Sequence, residues 1–202
     1  MRDLFDVRCP GLAGSLVTES NYVVMIEEVK AIIGLGSNLG NGRAILREAW
    51  DTLDTVPGIS LDGLSSPYMT APVGMTSRHW FTNAVGRLRV SLSPLDLLKA
   101  LLAVETKFGR TRDSKSFGYQ DRSLDLDLLY YGTQVMDTPE LTLPHPRIGD
   151  RLFVLAPFAE LEPDFRDCNS GMTISEMAKL LTHQIMVEES KNQEIISGHW
   201  DD

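Results

Sequence analysis

Between residues 31 and 131 the apolar and polar positions form an ordered series of patterns. Ala31 to Leu35 is an apolar run closed by Gly36-Ser37-Asn38, which reads as a buried strand and then a turn. From about Arg43 to Thr55, Leu46, Ala49, Trp50 and Leu53 recur at helical spacing, so a helix with one buried face is expected, ended by Pro57-Gly58. Ile59 to Tyr68 is expected to be a strand leading into a loop. Thr70 to Arg78, with Pro72, Gly74 and little periodicity, is that loop. Phe81 to Leu92 alternates: Ala84, Gly86, Leu88, Val90 and Leu92 share one face, and Phe81, Asn83, Val85, Arg87 and Arg89 the other. That is the mark of a half-buried strand.

Ser93 to Phe108 carries the clearest helix signal. Ser93 is an N-cap, Pro94 takes the first helical position, and Asp96 is placed for a capping box. Leu97, Leu98, Leu101, Val104 and Phe108 form its apolar stripe, and Gly109 supplies the stop. Arg110 to Asp121 is then a polar loop of twelve residues, long enough to suggest a function of its own. Ser123 to Tyr131 reads as a strand. The order strand, helix, strand, strand, helix, strand suits an α+β, ferredoxin-like βαββαβ fold, with an antiparallel sheet and both helices on one face. C-terminal additions follow: a Pro-rich loop from Leu141, a short run from Phe153 to Leu161, and a helix near Ile174 to Leu181. The expected division is an N-terminal extension over 1–28, a domain over 29–165, and a partly helical extension over 166–202. Met25, just upstream of the first strand, is a candidate start.

Composition narrows the class. The 202 residues are 43% hydrophobic and 23% charged, as in a globular chain with a real core. A net charge of -9 argues against a general nucleic-acid binder, though not against a small anionic ligand held by local arginines. No apolar run approaches the ~18 residues of a membrane span, and Met1 to Pro10 lacks the apolar stretch of a secretory signal. Cys9 and Cys168 are too few for a disulfide framework or a zinc pattern and read as unpaired thiols. A cytoplasmic protein that meets neither membrane nor nucleic acid is expected.

The chemistry-bearing segment is Arg122-Ser123-Leu124-Asp125-Leu126-Asp127-Leu128-Leu129. On a strand, Asp125 and Asp127 point to one face and Leu124, Leu126 and Leu128 to the other. The carboxylates would stand ~7 Å apart at Cα and repel unless something positive lies between them. Hard oxygens favour Mg²⁺, which bridges readily to phosphates, and metal pairs ~4 Å apart clamp phosphorus centres. Short acidic pairs are also common on ordinary solvated strands. Arg110, Arg112 and Arg122 flank the long loop, and their guanidinium forks match phosphate oxygens; each could equally pair with nearby Asp113 or Asp121. Gly36-Ser37-Asn38 allows close approach to a ligand but lacks the spacing of either standard nucleotide-binding glycine motif. His145 sits between Pro144 and Pro146 on a stiff backbone, able to meet a phosphate or metal, although single loop histidines are most often structural. Asn83 beside Phe81 could receive a flat heterocycle or simply belong to the sheet surface.

Taken together, these segments resemble the 6-hydroxymethyl-7,8-dihydropterin pyrophosphokinases, in that family's order. They are Gly34 to Gly40, Ser66 to Gly74, Phe81-Thr82-Asn83-Ala84, Glu105 to Arg112, Asp121 to Asp127, Leu143-Pro144-His145-Pro146-Arg147, and Arg151 to Leu155. The resemblance covers about residues 31 to 165. It implies transfer of pyrophosphate from ATP to a reduced hydroxymethyl pterin in folate biosynthesis. Asp125 and Asp127 would hold two Mg²⁺ ions, and Arg110, Arg112, Arg122, His145 and Arg151 would serve the ATP phosphates. Gly36, Thr70, Ala71, Val73, Phe81, Asn83 and Phe153 would form the pterin pocket. A monomer or weak dimer acting on these two small molecules is expected. Tyr119-Gln120-Asp121-Arg122 departs from the aromatic-Gly-Pro-Arg usual in the family. Phe81 and Ala71 replace a frequent tyrosine and a frequent proline. A metal-dependent phosphohydrolase and a non-catalytic ferredoxin-like binding module remain the rival readings.

Overall fold

The computed structural model describes residues 28–72, 77–109, 121–188 and 193–201. Eight strands and four helices follow in the order β1 (Val29–Ser37), α1 (Gly42–Leu53), β2 (Ile59–Leu64), β3 (Tyr68–Thr70), β4 (Phe81–Val90), α2 (Pro94–Lys107), β5 (Asp125–Tyr131), β6 (Met136–Asp137), β7 (Thr142–Leu143), α3 (Leu152–Leu161), α4 (Ile174–Val187) and β8 (Ile195–Ser197). The main sheet has six strands in the order β5-β1-β4-β3-β8, with β2 also pairing with β4, and its pairings are antiparallel. Strands β6 and β7 form a small separate ribbon.

The patterns read from the sequence produce these elements for identifiable reasons. Asn41 accepts the Ala44 N–H to start α1, and Ser93 accepts the Asp96 N–H to start α2, with Pro94 in its first turn. Both helices lie on one face of the sheet, as expected. Leu46, Ala49, Trp50 and Leu53 of α1 and Leu97, Leu101 and Val104 of α2 join Ala31, Ile33, Leu35, Ala84, Leu88, Leu126 and Leu128 in one buried cluster. Gly86 allows a close fit there, because a Cβ at that position would clash with the edge of the Trp50 ring.

The second face carries its own core. Ile32, Val85, Leu129 and Tyr130 pack against Val154, Leu155 and Phe158 of α3 and Ile174 and Leu181 of α4. The run beginning at Phe153 is therefore a helix, apolar nearly all round and with Pro157 inside it; it shows no clean period because most of its sides are covered. The stretch expected as one strand from Ile59 to Tyr68 is two strands, and Ser65 marks the break. Its N–H donates to the Val85 carbonyl at 2.9 Å, while its Oγ accepts from the Val85 N–H at 3.0 Å. A register shift where β1 meets β5, between Ile32 and Ile33, turns both Leu129 and Tyr130 toward the second core, which strict alternation would not do.

The C-terminal residues return to the sheet edge. β8 pairs with β3, Thr70 opposite Ile195, and Trp200 donates its indole N–H to the Ser65 carbonyl at 3.0 Å. At the opposite edge, the Leu126 N–H of β5 is taken by the buried Glu105 carboxylate of α2 at 2.8 Å. Among the described residues no helix is long and apolar enough to cross a membrane.

Candidate active site

The apolar cover on the second face stops short of one end of the sheet. There the three adjacent strands β4, β1 and β5 bring Asn83, Gly36 and Asp125 into one cross-strand row, with Gly36 paired to both neighbours. A Cβ at Gly36 would stand 3.2 Å from Asn83 Oδ1, so the missing side chain keeps the floor low between an amide and a carboxylate. One row further in, Gly34 pairs with Asp127. Asp125 and Asp127 share this face, as alternation requires, while Leu126 and Leu128 go to the first core.

A single cleft gathers most of the residues singled out by the sequence. Gly36, Thr70, Ala71, Phe81, Asn83, Arg122, Asp125, Asp127, Arg151 and Phe153 line it. Arg147 and Asp150 line it too; sequence reading gave them no role, although Arg147 lay inside a matched segment. His145 stands beside the cleft, half-buried. Val73, Arg110 and Arg112 lie outside the described residues.

One wall is amide and aromatic. Asn83 donates its Nδ2–H to Thr70 Oγ1 at 2.8 Å, both side chains being buried. That bond orients the amide and turns its carbonyl oxygen over Gly36. Phe81 continues the same strand face, and Phe153 faces the cleft from the first turn of α3.

The other wall is charged. Arg122 Nη1 lies 2.7 Å from Asp125 Oδ2, and Arg151 Nη1 lies 3.2 Å from Asp127 Oδ2. The Arg151 guanidinium also stands over the Phe153 ring, 5.6 Å from its centroid, within cation–π range. So each carboxylate has its own guanidinium, which offsets the repulsion two close carboxylates would otherwise feel.

His145 is tied to β5 by its N–H, which donates to the Leu129 carbonyl at 2.9 Å. Its Nδ1 accepts the Arg147 N–H at 3.2 Å, leaving Nε2 to carry the proton. Burial lowers its pKa and the Arg151 and Arg147 charges add to that, outweighing the upward pull of Asp127 and Asp125. The ring is therefore neutral near pH 7.

Asn38 clamps the strand that carries the acids. Its Oδ1 accepts the Arg122 N–H at 2.7 Å, its own N–H donates to the Arg122 carbonyl at 3.1 Å, and its Nδ2–H donates to Asp121 at 2.6 Å. Asp121 also accepts from Ser77 Oγ at 2.7 Å. The Ser77 bond, then the Asn38 bond, hold its carboxyl below the usual range. The acid that stands where the family usually has proline thus ties the residue before Arg122 to Asn38 and Ser77.

The donors present fit a hard divalent cation. Asp125 and Asp127 offer carboxylate oxygens on one strand face, and among the described residues no group of three His, Cys, Asp or Glu forms a protein-only cage. Two carboxylates suit Mg²⁺ that arrives with a polyphosphate and keeps waters for its remaining positions.

Acidic pair, guanidinium partners and amide-aromatic slot, on a ferredoxin-like sheet, are groups that suit a phosphotransferase. Comparison with known proteins narrows this. Residues 32–163 match the family model described as 7,8-dihydro-6-hydroxymethylpterin-pyrophosphokinase, and the chain belongs to that family. A 2-amino-4-hydroxy-6-hydroxymethyldihydropteridine pyrophosphokinase from Synechocystis is 43% identical over 147 residues, 73% of each chain. One of the same name from Pseudomonas aeruginosa is 41% identical over 142 residues, 70% of this chain and 85% of its own. The HPPK-DHPS of Plasmodium falciparum, solved with pteroate, superposes with a TM-score of 0.65 at 12% identity, covering 83% of this chain. This chain spans 46% of that one, and the likeness speaks for the fold alone. The family's activity is ATP-dependent transfer of pyrophosphate to hydroxymethyldihydropterin in folate biosynthesis.

Proposed function

We propose that the cleft at the β4-β1-β5 end carries this transfer, with the ring of the pterin over Gly36 and the ATP phosphates along the charged wall. The observation that supports it most is the placement of Asp125 and Asp127 on one strand face, each against an arginine, in the cleft that also holds the Asn83–Thr70 pair.

Asn83 Oδ1 accepts hydrogen bonds from the ring's N–H groups, and the backbone of Thr70 and Ala71 closes that edge. Phe81 and Phe153 take the ring faces. Arg122 and Arg151 exchange their carboxylate partners for phosphate oxygens, a trade of like for like in charge-assisted hydrogen bonding. Arg110 and Arg112 add to the phosphate contacts, and neutral His145 donates from Nε2 to the triphosphate. Two Mg²⁺ ions, held by Asp125 and Asp127, would neutralise phosphate charge and orient the chain of phosphates. The pterin hydroxyl attacks the β-phosphorus in line; the bond from the β-phosphorus to the oxygen it shares with the α-phosphate breaks, AMP leaves with that oxygen, and the hydroxyl proton passes to water. Charge then spreads over the phosphate oxygens, and the protein contributes positioning and electrostatic stabilisation.

The enzyme is expected to work in the cytoplasm as a monomer or weak dimer, on these small molecules without nucleic acid. The exposed free thiol of Cys168 suits a reducing compartment. A coupled AMP assay with ATP, Mg²⁺ and the hydroxymethyl pterin tests the reading. AMP should form only when the pterin is present. Phosphate release without it would mean a phosphohydrolase, and no turnover at all a binding module.

A further inference from the structure

We propose that Gln193 is a positioning residue for Arg151, supplied by the C-terminal segment and acting across the cleft wall. The inference rests on the phosphate role assigned above to Arg151.

Arg151 is the N-cap of α3 but gives that helix no side-chain cap. The first orphan N–H, that of Leu152, would otherwise lack a partner in the helix. Gln193 Oε1 accepts it at 2.9 Å. The same amide donates its Nε2–H to the Asp150 carbonyl at 2.9 Å. These two groups belong to the peptide planes on either side of Arg151. Rotation about φ of Arg151 would swing one, and rotation about ψ the other. One glutamine amide therefore holds both, at φ -119 and ψ 98, and adds to the Arg151 N–H bond to the Ile148 carbonyl and the Val154 and Leu155 N–H bonds to the Arg151 carbonyl in setting the direction in which the Arg151 side chain leaves the backbone.

That direction has a consequence inside the cleft. It is the one that carries the guanidinium to Asp127 and over Phe153. The next residue ties the opposite wall, since the Glu194 carbonyl accepts the Ala71 N–H at 3.1 Å. Residues 193 and 194 thus join the phosphate side to the pterin side, far from either in sequence. Arginine is demanding in this setting, because its planar fork recognises phosphate by direction as well as by charge.

Gln193→Met keeps the side-chain length and removes both hydrogen bonds. In the AMP assay it should lower kcat/KM for ATP about tenfold, the lower end of the loss seen when a supporting partner of a site residue is removed. KM for the pterin should hold, because the Glu194 carbonyl remains. In an Arg151→Ala background the same change should cost nothing further, as expected if the two residues act as one unit. Equal losses in both backgrounds, or no loss in the first, would overturn the proposal.

A second measurement needs no activity. In the ligand-free protein, the Arg151 guanidinium NMR resonances, assigned by their loss in Arg151→Ala, should move in Asp127→Asn and move the same way in Gln193→Met. If Gln193→Met leaves them in place, Gln193 does not position Arg151. Should the wild-type protein make no AMP, the kinase reading falls while this spectrum still decides the role of Gln193.

Discussion

The two faces of the central sheet are built from the same strands and do different work. Toward α1 and α2, β1 presents Ala31, Ile33 and Leu35, β4 presents Ala84 and Leu88, and β5 presents Leu126 and Leu128, all buried in one continuous core. Toward α3 and α4, the strands begin in the same way with Ile32, Val85 and Leu129 under Phe158. They then pass to Gly34, Gly36, Asn83, Asp125 and Asp127, where the helical cover stops and the cleft opens. One continuous core holds the strands in register, so the other face can end in groups that would be costly to bury. Neighbouring residues on β5 therefore face different surroundings: Leu126 the first core, Asp125 and Asp127 the cleft where we propose the chemistry takes place.

Substitutions on β5 can break or sharpen that contrast. The largest effect is expected from Asp127→Ala, which removes a carboxylate from the charged wall and leaves both cores intact. Turnover in the AMP assay should fall on the order of a thousandfold, since several kcal/mol of transition-state charge stabilisation would go, while thermal unfolding stays cooperative. Near-normal activity would show that Asp127 has no part in the reaction. Leu126→Ala should do the reverse. It empties a site in the first core and should cost about 2–5 kcal/mol in denaturant unfolding, with kcat per folded molecule preserved; loss of kcat without loss of stability would merge the two faces.

A smaller effect is expected from Glu105→Ala. Its carboxylate takes the outward N–H of Leu126 in a buried setting, and an abandoned donor there should cost about 1–3 kcal/mol, read by chemical denaturation. The smallest is an acid limb. Burial alone would raise the Glu162 carboxyl, but hydrogen bonds from Lys30 and Arg87, then their charges, bring it below the usual value. A carboxyl depressed in the folded state stabilises above its unfolded pKa, about 4.3, and that contribution fades as pH falls through the folded value. Stability measured from pH 6 down to pH 3 (roughly the span of that titration) should fall less steeply in Glu162→Gln than in the wild type.

Much of this is legible in the sequence. The face assignments of β4, the capped helix α2 and the placement of Asp125 and Asp127 on the face opposite Leu126 follow from short-range rules, and the structure agrees; β4 is not the half-buried strand its alternation suggests, because its second face is covered too, with Val85 in the core under Phe158. What stayed hidden depends on contacts distant in sequence. Helix α3 hides its period because it is covered on most sides. The shift that turns Tyr130 inward is set by its pairing with β1, not by β5 alone. Glu105 looks like any polar helix position until Leu126 is brought against it. Strand β8 is three residues long, with no alternation to read, and Gln193 gains its meaning from a helix start 41 positions earlier in the chain. Arg147 and Asp150 are ordinary loop residues until the chain folds them onto the cleft.

Strand β3 lies between β4 and β8, and this arrangement bears on how the protein tolerates trimming. A product ending before residue 193 would leave the outer hydrogen-bonding groups of β3 without their partner. Unclaimed strand borders recruit other chains, so such a fragment is expected to polymerise through this border while its helices are still intact. Light-scattering growth ahead of any loss of helical circular dichroism would be the sign of it.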